Sequence, residues 1–179
     1  MKLKTPKKIM IIGCCGAGKS TLAKKVHERT DLPIVHLDQL FWRPNWTEPS
    51  TEEWEDIVKK ASDESSWIMD GNYGGTMDIR LNKADTVVFL NRPTWLCLFR
   101  VIKRVALNYG QTRFDMANGC RERFDFDFLK YVYNFNKTRK DKILNKLEAI
   151  KQEKQVFILN SEKQVRSFLT QIDQHEKHL

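Results

Sequence analysis

The chain has 179 residues, one domain's worth, and its 31 Lys+Arg against 23 Asp+Glu leave a net charge of +8. Hydrophobic residues at 41% can fill a core, while 30% charged residues and a mean hydropathy of −0.55 describe a solvated surface, which excludes disorder as the default. No apolar run approaches the roughly 18–20 residues that cross a bilayer, the basic segment 1–8 lacks the apolar stretch of a signal peptide, and four cysteines without framework or metal-ligand spacing fit reduced thiols, so a cytoplasmic protein is expected.

Along the chain, the apolar run KKIMII at 7–12 ends directly before glycines, and 19–30 then sets Leu22, Ala23 and Val26 on one side of a helix. This is strand, tight loop, helix. Further short apolar runs at 34–37, 67–69, 86–90 and 156–159 are each bounded by turn or charged residues and suit buried parallel strands. Between the second and third, Ser50-Thr51-Glu52-Glu53 is a capping box, followed by Trp54, Ile57, Val58 and Ala61 at helical spacing. Helices are also predicted over 93–108, over 125–150 as one element, and from 162 to about 173. Tyr131, Tyr133 and Phe135 alternate as in a strand, but Phe128, Val132 and Phe135 at i, i+4 and i+7 favour a helix core. Strands alternating with helices predict an α/β fold with a parallel, doubly wound, five-stranded sheet.

Gly13-Cys14-Cys15-Gly16-Ala17-Gly18-Lys19-Ser20 fits G-x-x-x-x-G-K-[ST] between a strand and a helix, the context in which that pattern cradles phosphates. Glycines let backbone N–H groups turn inward around phosphate oxygens, and the following helix points its positive end at them. By this logic Gly13, Gly16, Ala17, Gly18, Lys19, Ser20 and Thr21 bind ATP, with Lys19 on the β/γ-phosphates and Ser20 on Mg²⁺. Asp38 after PIVHL and Asp70 after WIM stand at the carboxyl edge of the sheet. Asp70 is read as the second Mg²⁺ residue and Asp38 as the group that takes a proton from an acceptor. Asn82-Lys83-Ala84-Asp85 spells the guanine-reading N-K-x-D, but it precedes a strand instead of following one and no D-x-x-G accompanies it, so it reads as a helix end. Phe41, Trp42 and Trp46 either stack on a base or sugar or form a satellite core.

Asp70-Gly71 after a strand, Ala84-Asp85 opening VVFL, and the spacing Leu90, Pro93, Arg100, Arg104 together resemble the adenylate-kinase-like nucleotide kinases. HLDQLFW, MDGNYGG and TRFDMANGCRERFDFDFLKYVYNF resemble more closely a branch of that superfamily labelled bacterial DNA topology modulation proteins. The resemblance implies a P-loop NTPase three-layer sandwich with a short helical lid: one domain over 1–179, an acceptor-side insertion at about 38–66 and a lid at about 105–124. It also implies Arg100 near the adenine and Arg104 near the phosphates. Gly74 stands where adenylate kinases carry the arginine that grips AMP; Arg43 or Arg80 either replaces it or is an ordinary surface arginine. Arg113, Arg121 and Arg123 supply cations for a transferring phosphoryl group; Arg113 and Arg121 are read as the catalytic pair. A polar segment over 109–124, bracketed by Gly110 and Gly119, suits a mobile gate.

Charge is segregated. Segment 48–66 holds seven acids against two lysines, and 92–123 holds seven basic residues against two acids. Two functions follow: ATP-dependent phosphoryl transfer to a nucleotide or other small metabolite, and, as the less favoured alternative, an ATP-switched regulator that binds DNA through its basic surface.

Overall fold

The computed structural model of the chain describes residues 6–176, and side chains to 174, so most of segment 1–8 lies outside the described residues. Five strands, β1 (Lys8–Gly13), β2 (Ile34–His36), β3 (Trp67–Asp70), β4 (Thr86–Leu90) and β5 (Gln155–Leu159), form one parallel sheet in the order β2-β3-β1-β4-β5. Ile9, Met10, Ile11 and Ile12 of β1 are fully buried because helices cover both faces of the sheet, which is why the strand is a continuous apolar run without alternation. The chain leaves β1 for β2 on one side and crosses back through β3 to β4 on the other. That reversal opens a crevice at the carboxyl ends of β1 and β3. Register makes Ile11 the partner of Asp70 and Gly13 the partner of Leu90, so the glycine loop and Asp70 emerge side by side.

Helix α1 (Lys19–Thr30) follows the glycine loop, and a single turn, α2 (Leu37–Phe41), carries Asp38 away from β2. Helix α3 (Thr51–Asp63) starts on the expected cap: Ser50 Oγ accepts from Glu53 N at 3.1 Å. Helix α4 (Met77–Lys83) runs into β4, and Asp85 Oδ2 accepts from Lys7 N and Lys8 N, both at 2.8 Å. The N-K-x-D run is thus a helix end that ties down the amino edge of the sheet, remote from the crevice.

Helix α5 (Thr94–Asn108) has Pro93 as its cap and buries Cys97, Val101 and Val105, with Cys97 and Val101 against Gly16 of the glycine loop. The single helix expected over 125–150 is two, α6 (Phe126–Thr138) and α7 (Lys140–Ile150). Neither proline nor glycine marks the break; Arg139 leaves helical geometry (φ −123°, ψ −30°) with its guanidinium 5.5 Å from the Tyr131 ring. Val132 and Phe135 are fully buried, as the helical spacing predicted. Helix α8 (Glu162–Glu176) closes the fold.

The segment 109–124 contains no helix. Its ends are joined by an antiparallel bridge between Thr112 and Arg121 and by Gly110 N–Glu122 O and Glu122 N–Gln111 O hydrogen bonds of 2.9 and 2.8 Å. With positive φ at Gly110 and Gly119 and no apolar period, turns win over helix. The lid is therefore a strap between two helices, and it is less polar inside than its composition implied, since Met116 and Cys120 are buried.

Candidate functional site

Strap, glycine loop, sheet edge and the 38–46 loop enclose a cleft of about 1150 Å³. Its floor is the glycine loop. Gly16 sits at φ +80° with its α-carbon against α5, where a β-carbon would lie 2.5 Å from Cys97 O; Gly13 is equally confined, with Leu90 O at 2.7 Å. Asn72 holds this end of β1 from the far side: its Oδ1 accepts from Gly13 N at 3.0 Å and its Nδ2 donates to Gly13 O at 2.7 Å. Lys19 Nζ donates to Cys14 O at 3.3 Å. Burial works against its charge, but the Cys15 side chain and the Asp38 and Asp70 carboxylates more than offset this and raise its pKa.

Two acids mark the sheet edge. Asp70 is buried, and its Oδ1 lies 2.6 Å from His36 Nδ1, its register partner on β2. Burial opposes protonation of His36, yet the hydrogen bond and charge of Asp70, with Asp115 and Asp38 nearby, carry its pKa upward. Asp38 Oδ1 accepts from Tyr73 Oη at 2.6 Å; burial pushes its carboxyl above the usual range, while Tyr73, Lys19 and Arg113 pull against that shift and Asp70 reinforces it.

Arginines line the opposite wall. Arg104 Nε meets Glu122 Oε1 at 2.8 Å, and Arg113 Nε meets the same oxygen at 3.2 Å. Arg100 donates to Ala17 O and, with Arg92, to Glu162 Oε1 at 3.1 and 3.0 Å. Arg121 does not join them. The Thr112–Arg121 bridge leaves it exposed and outside the cleft lining, where Arg123 appears instead.

Neither proposed substitute for the missing AMP arginine is free. Arg43 is ion-paired with Glu53 on the surface, and Arg80 is fully buried, donating to Gly71 O, Asn72 O and Tyr73 O. Arg139 was not anticipated. It lines the cleft beside Gly74 and has no carboxylate partner among the described residues. Its position depends on the α6–α7 break, for which the sequence carries no breaker. Of the two readings of the aromatic loop, Phe41 fits the satellite core, packing on Trp54 and Tyr73, and Trp42 and Trp46 line the cleft.

A divalent metal would find hard oxygen donors here. Ser20 Oγ donates to Asp115 Oδ2 of the strap at 2.7 Å, Asp70 lines the same cleft, and Asp115 Oδ1 is buried with no hydrogen-bond partner among the described residues. No group of three or more His, Cys, Asp or Glu among the described residues forms a ready cage. Mg²⁺ keeps waters and takes substrate phosphates as ligands, so a hydroxyl and a carboxylate are enough protein donors for it.

No protein-family model matches the chain, and no curated protein matches it in sequence. Solved structures do. A shikimate kinase from Acinetobacter baumannii in complex with shikimate superposes with a TM-score of 0.61 at 15% identity, covering 97% of this chain and 94% of that one. The fold is that of the P-loop kinases. A gluconokinase from Sinorhizobium meliloti gives a TM-score of 0.55 at 14% identity over 98% of this chain and 97% of its own. A putative kinase from Chloroflexus aurantiacus gives 0.55 at 12% identity over 96% and 99%. Among the described residues no helix is long and apolar enough to cross a membrane.

Proposed function

We propose that the chain is an ATP-dependent kinase of a hydroxyl-bearing small molecule. The observation that carries this reading is the convergence of Lys19, Asp38, Asp70, Arg104 and Arg113 on one cleft above a phosphate-cradling loop. Phosphoryl transfer asks little covalent chemistry of a protein, so positioning and charge neutralisation suffice. Residues 13–21 hold the triphosphate of ATP by backbone N–H groups, Lys19 reaches its terminal phosphates, and Arg100 lies on the nucleotide side. Ser20 and Asp70 would hold Mg²⁺, which would supply positive charge to offset that of the phosphates. His36 keeps Asp70 oriented. Asp38, whose pKa burial raises, takes the proton of the acceptor hydroxyl. Arg104 and Arg113 give up Glu122 as a partner to face the transferring phosphoryl group. The strap excludes water during transfer.

Arg139, beside Gly74 and without a carboxylate partner among the described residues, supports an acceptor that also carries an anionic group. The kinases of similar fold include ones named for shikimate and gluconate, and the sequence likeness to the DNA topology modulation branch rests on its motifs alone. The regulator reading gains no support from the charge distribution. Arg92, Arg104 and Arg113 of the basic block turn inward onto Glu162, Glu122 and Asp115 instead of forming a surface stripe.

A screen of nucleotides, nucleosides, sugars and hydroxy acids for stimulated ATP consumption tests the reading. One acceptor class should stimulate, and Asp38→Asn should abolish that stimulation while ATP affinity stays within about two-fold. A screen in which nothing stimulates would sink it.

A further inference from the structure

The kinase reading leaves the carboxylate of Asp115 unused. It is 8% exposed, on a strap between Gly110 and Gly119, and it reaches across the cleft to accept a hydrogen bond from Ser20 Oγ at 2.7 Å. Its other oxygen, Oδ1, lies 3.5 Å from Arg113 Nε and has no hydrogen-bond partner among the described residues. An acid in this place is electrostatically odd. A loop built to receive polyphosphate should be met by cations from the lid, and a carboxylate there repels the ligand at close range. The repulsion reverses sign only if a cation stands between the two.

We propose that Asp115 is the strap's metal-sensing residue: it faces Mg²⁺ when the metal accompanies ATP, and its charge drives the strap open when ATP arrives without metal. The proposal rests on the ATP-binding reading of residues 13–21. Three features of the strap support it. Asp115 Oδ2 already lies against the hydroxyl assigned to the metal, and Oδ1, ion-paired with Arg113 but without a hydrogen bond among the described residues, leaves a second hard oxygen on the same carboxylate. Arg113, two residues before Asp115, shares the strap, so seating Asp115 over the metal seats Arg113 over the phosphates in the same movement. The strap is also bonded to the acceptor side: Gln39 Nε2 donates to Phe114 O at 2.5 Å, Trp46 Nε1 to Arg121 O at 3.2 Å, and Cys120 Sγ to Arg43 O at 3.1 Å. Metal-dependent seating of Asp115 therefore completes the wall against which the acceptor docks, and ATP without its metal is left in an open, unproductive cleft.

Hydrogen exchange of segment 109–124 in the full chain tests this, with a saturating non-hydrolysable ATP analogue in Mg²⁺ or in EDTA and calorimetry confirming occupancy in each. In the parent, exchange should slow several-fold with the analogue and Mg²⁺, and in EDTA should rise above that of the nucleotide-free protein. Asp115→Asn, which keeps size and removes charge, should slow exchange equally in both and bind the metal-free analogue at least ten-fold more tightly than the parent. Parent protection that ignores the metal overturns the proposal, as does an Asp115→Asn variant that keeps the parent's metal dependence. If that variant does not fold, the parent comparison still decides. Failure of the analogue to bind at all overturns the ATP reading as well, whereas binding with a metal-blind strap overturns this inference alone.

Discussion

Tyr73→Phe isolates the tuning of Asp38. The Tyr73 ring packs on Phe41 and Trp54 at centroid distances of 4.7 and 4.9 Å, and phenylalanine keeps those contacts while losing only the hydroxyl. That hydroxyl donates to Asp38 Oδ1 at 2.6 Å, and burial together with the Asp38 charge pushes the phenol far above its ordinary range, so it remains a donor at any working pH. A hydrogen bond to a charged group contributes about 1.5–3 kcal/mol. Asp38 is partly exposed and water recovers some of the loss, so the lower end applies, about 1.5 kcal/mol, which corresponds to roughly one pKa unit. The sign is upward: the bond favours the carboxylate, and without it burial raises the pKa further. Carboxyl ¹³C NMR titration of parent and Tyr73→Phe, with the Asp38 signal identified by its loss in Asp38→Asn, should show a rise of about one unit. Because a protonated Asp38 cannot accept a proton, activity falls as pH drops through this pKa. The acid limb of acceptor-stimulated turnover should therefore move about one unit up the pH scale. An Asp38 that titrates at the same pH in both proteins refutes the reasoning.

Arg80→Leu should destabilise the chain by at least about 3 kcal/mol, since three backbone carbonyls lose a buried charged donor, and lower Tm by roughly 6–12 °C in calorimetry; a shift under 2 °C would make the residue incidental. His36 has a raised pKa in the folded chain, so the stability it contributes is complete below about 6.5 and disappears as pH rises through the raised value. Thermal unfolding of parent and His36→Asn should therefore differ most in mild acid and converge in mild base, and a gap that widens with pH would contradict the assignment. Gly16→Ala should weaken ATP binding by ten-fold or more in calorimetry, because its β-carbon would lie 2.5 Å from Cys97 O at φ +80°; unchanged affinity would mean the loop yields at no cost.

What the sequence disclosed is what local chemistry determines. Continuous apolar runs gave the five strands to within a residue or two, because burial on both faces leaves no other composition for them. Ser50 and Glu53 announced the start of α3, and the glycine pattern announced the tight loop between β1 and α1. Three features escaped, each set by tertiary contact. The break at Arg139 has no sequence breaker. The strap's carboxylates, Asp115 and Glu122, sit in a stretch that reads as basic, yet they fold inward onto Ser20, Arg104 and Arg113. The inward or outward sense of Arg121 and Arg123 depends on the register of a single bridge, which spacing cannot supply.

Calorimetric titration of Mg²⁺–ATP into the parent and Lys19→Ala tests the central claim most directly. Lys19 shares the cleft with Asp38 and Asp70 and feels the charge of both, so alanine removes an attractive charge and leaves both carboxylates uncompensated against the incoming phosphates. The account predicts saturable binding to the parent and a loss of at least ten-fold, about 1.4 kcal/mol, in the variant. Equal affinity in the two proteins would contradict it.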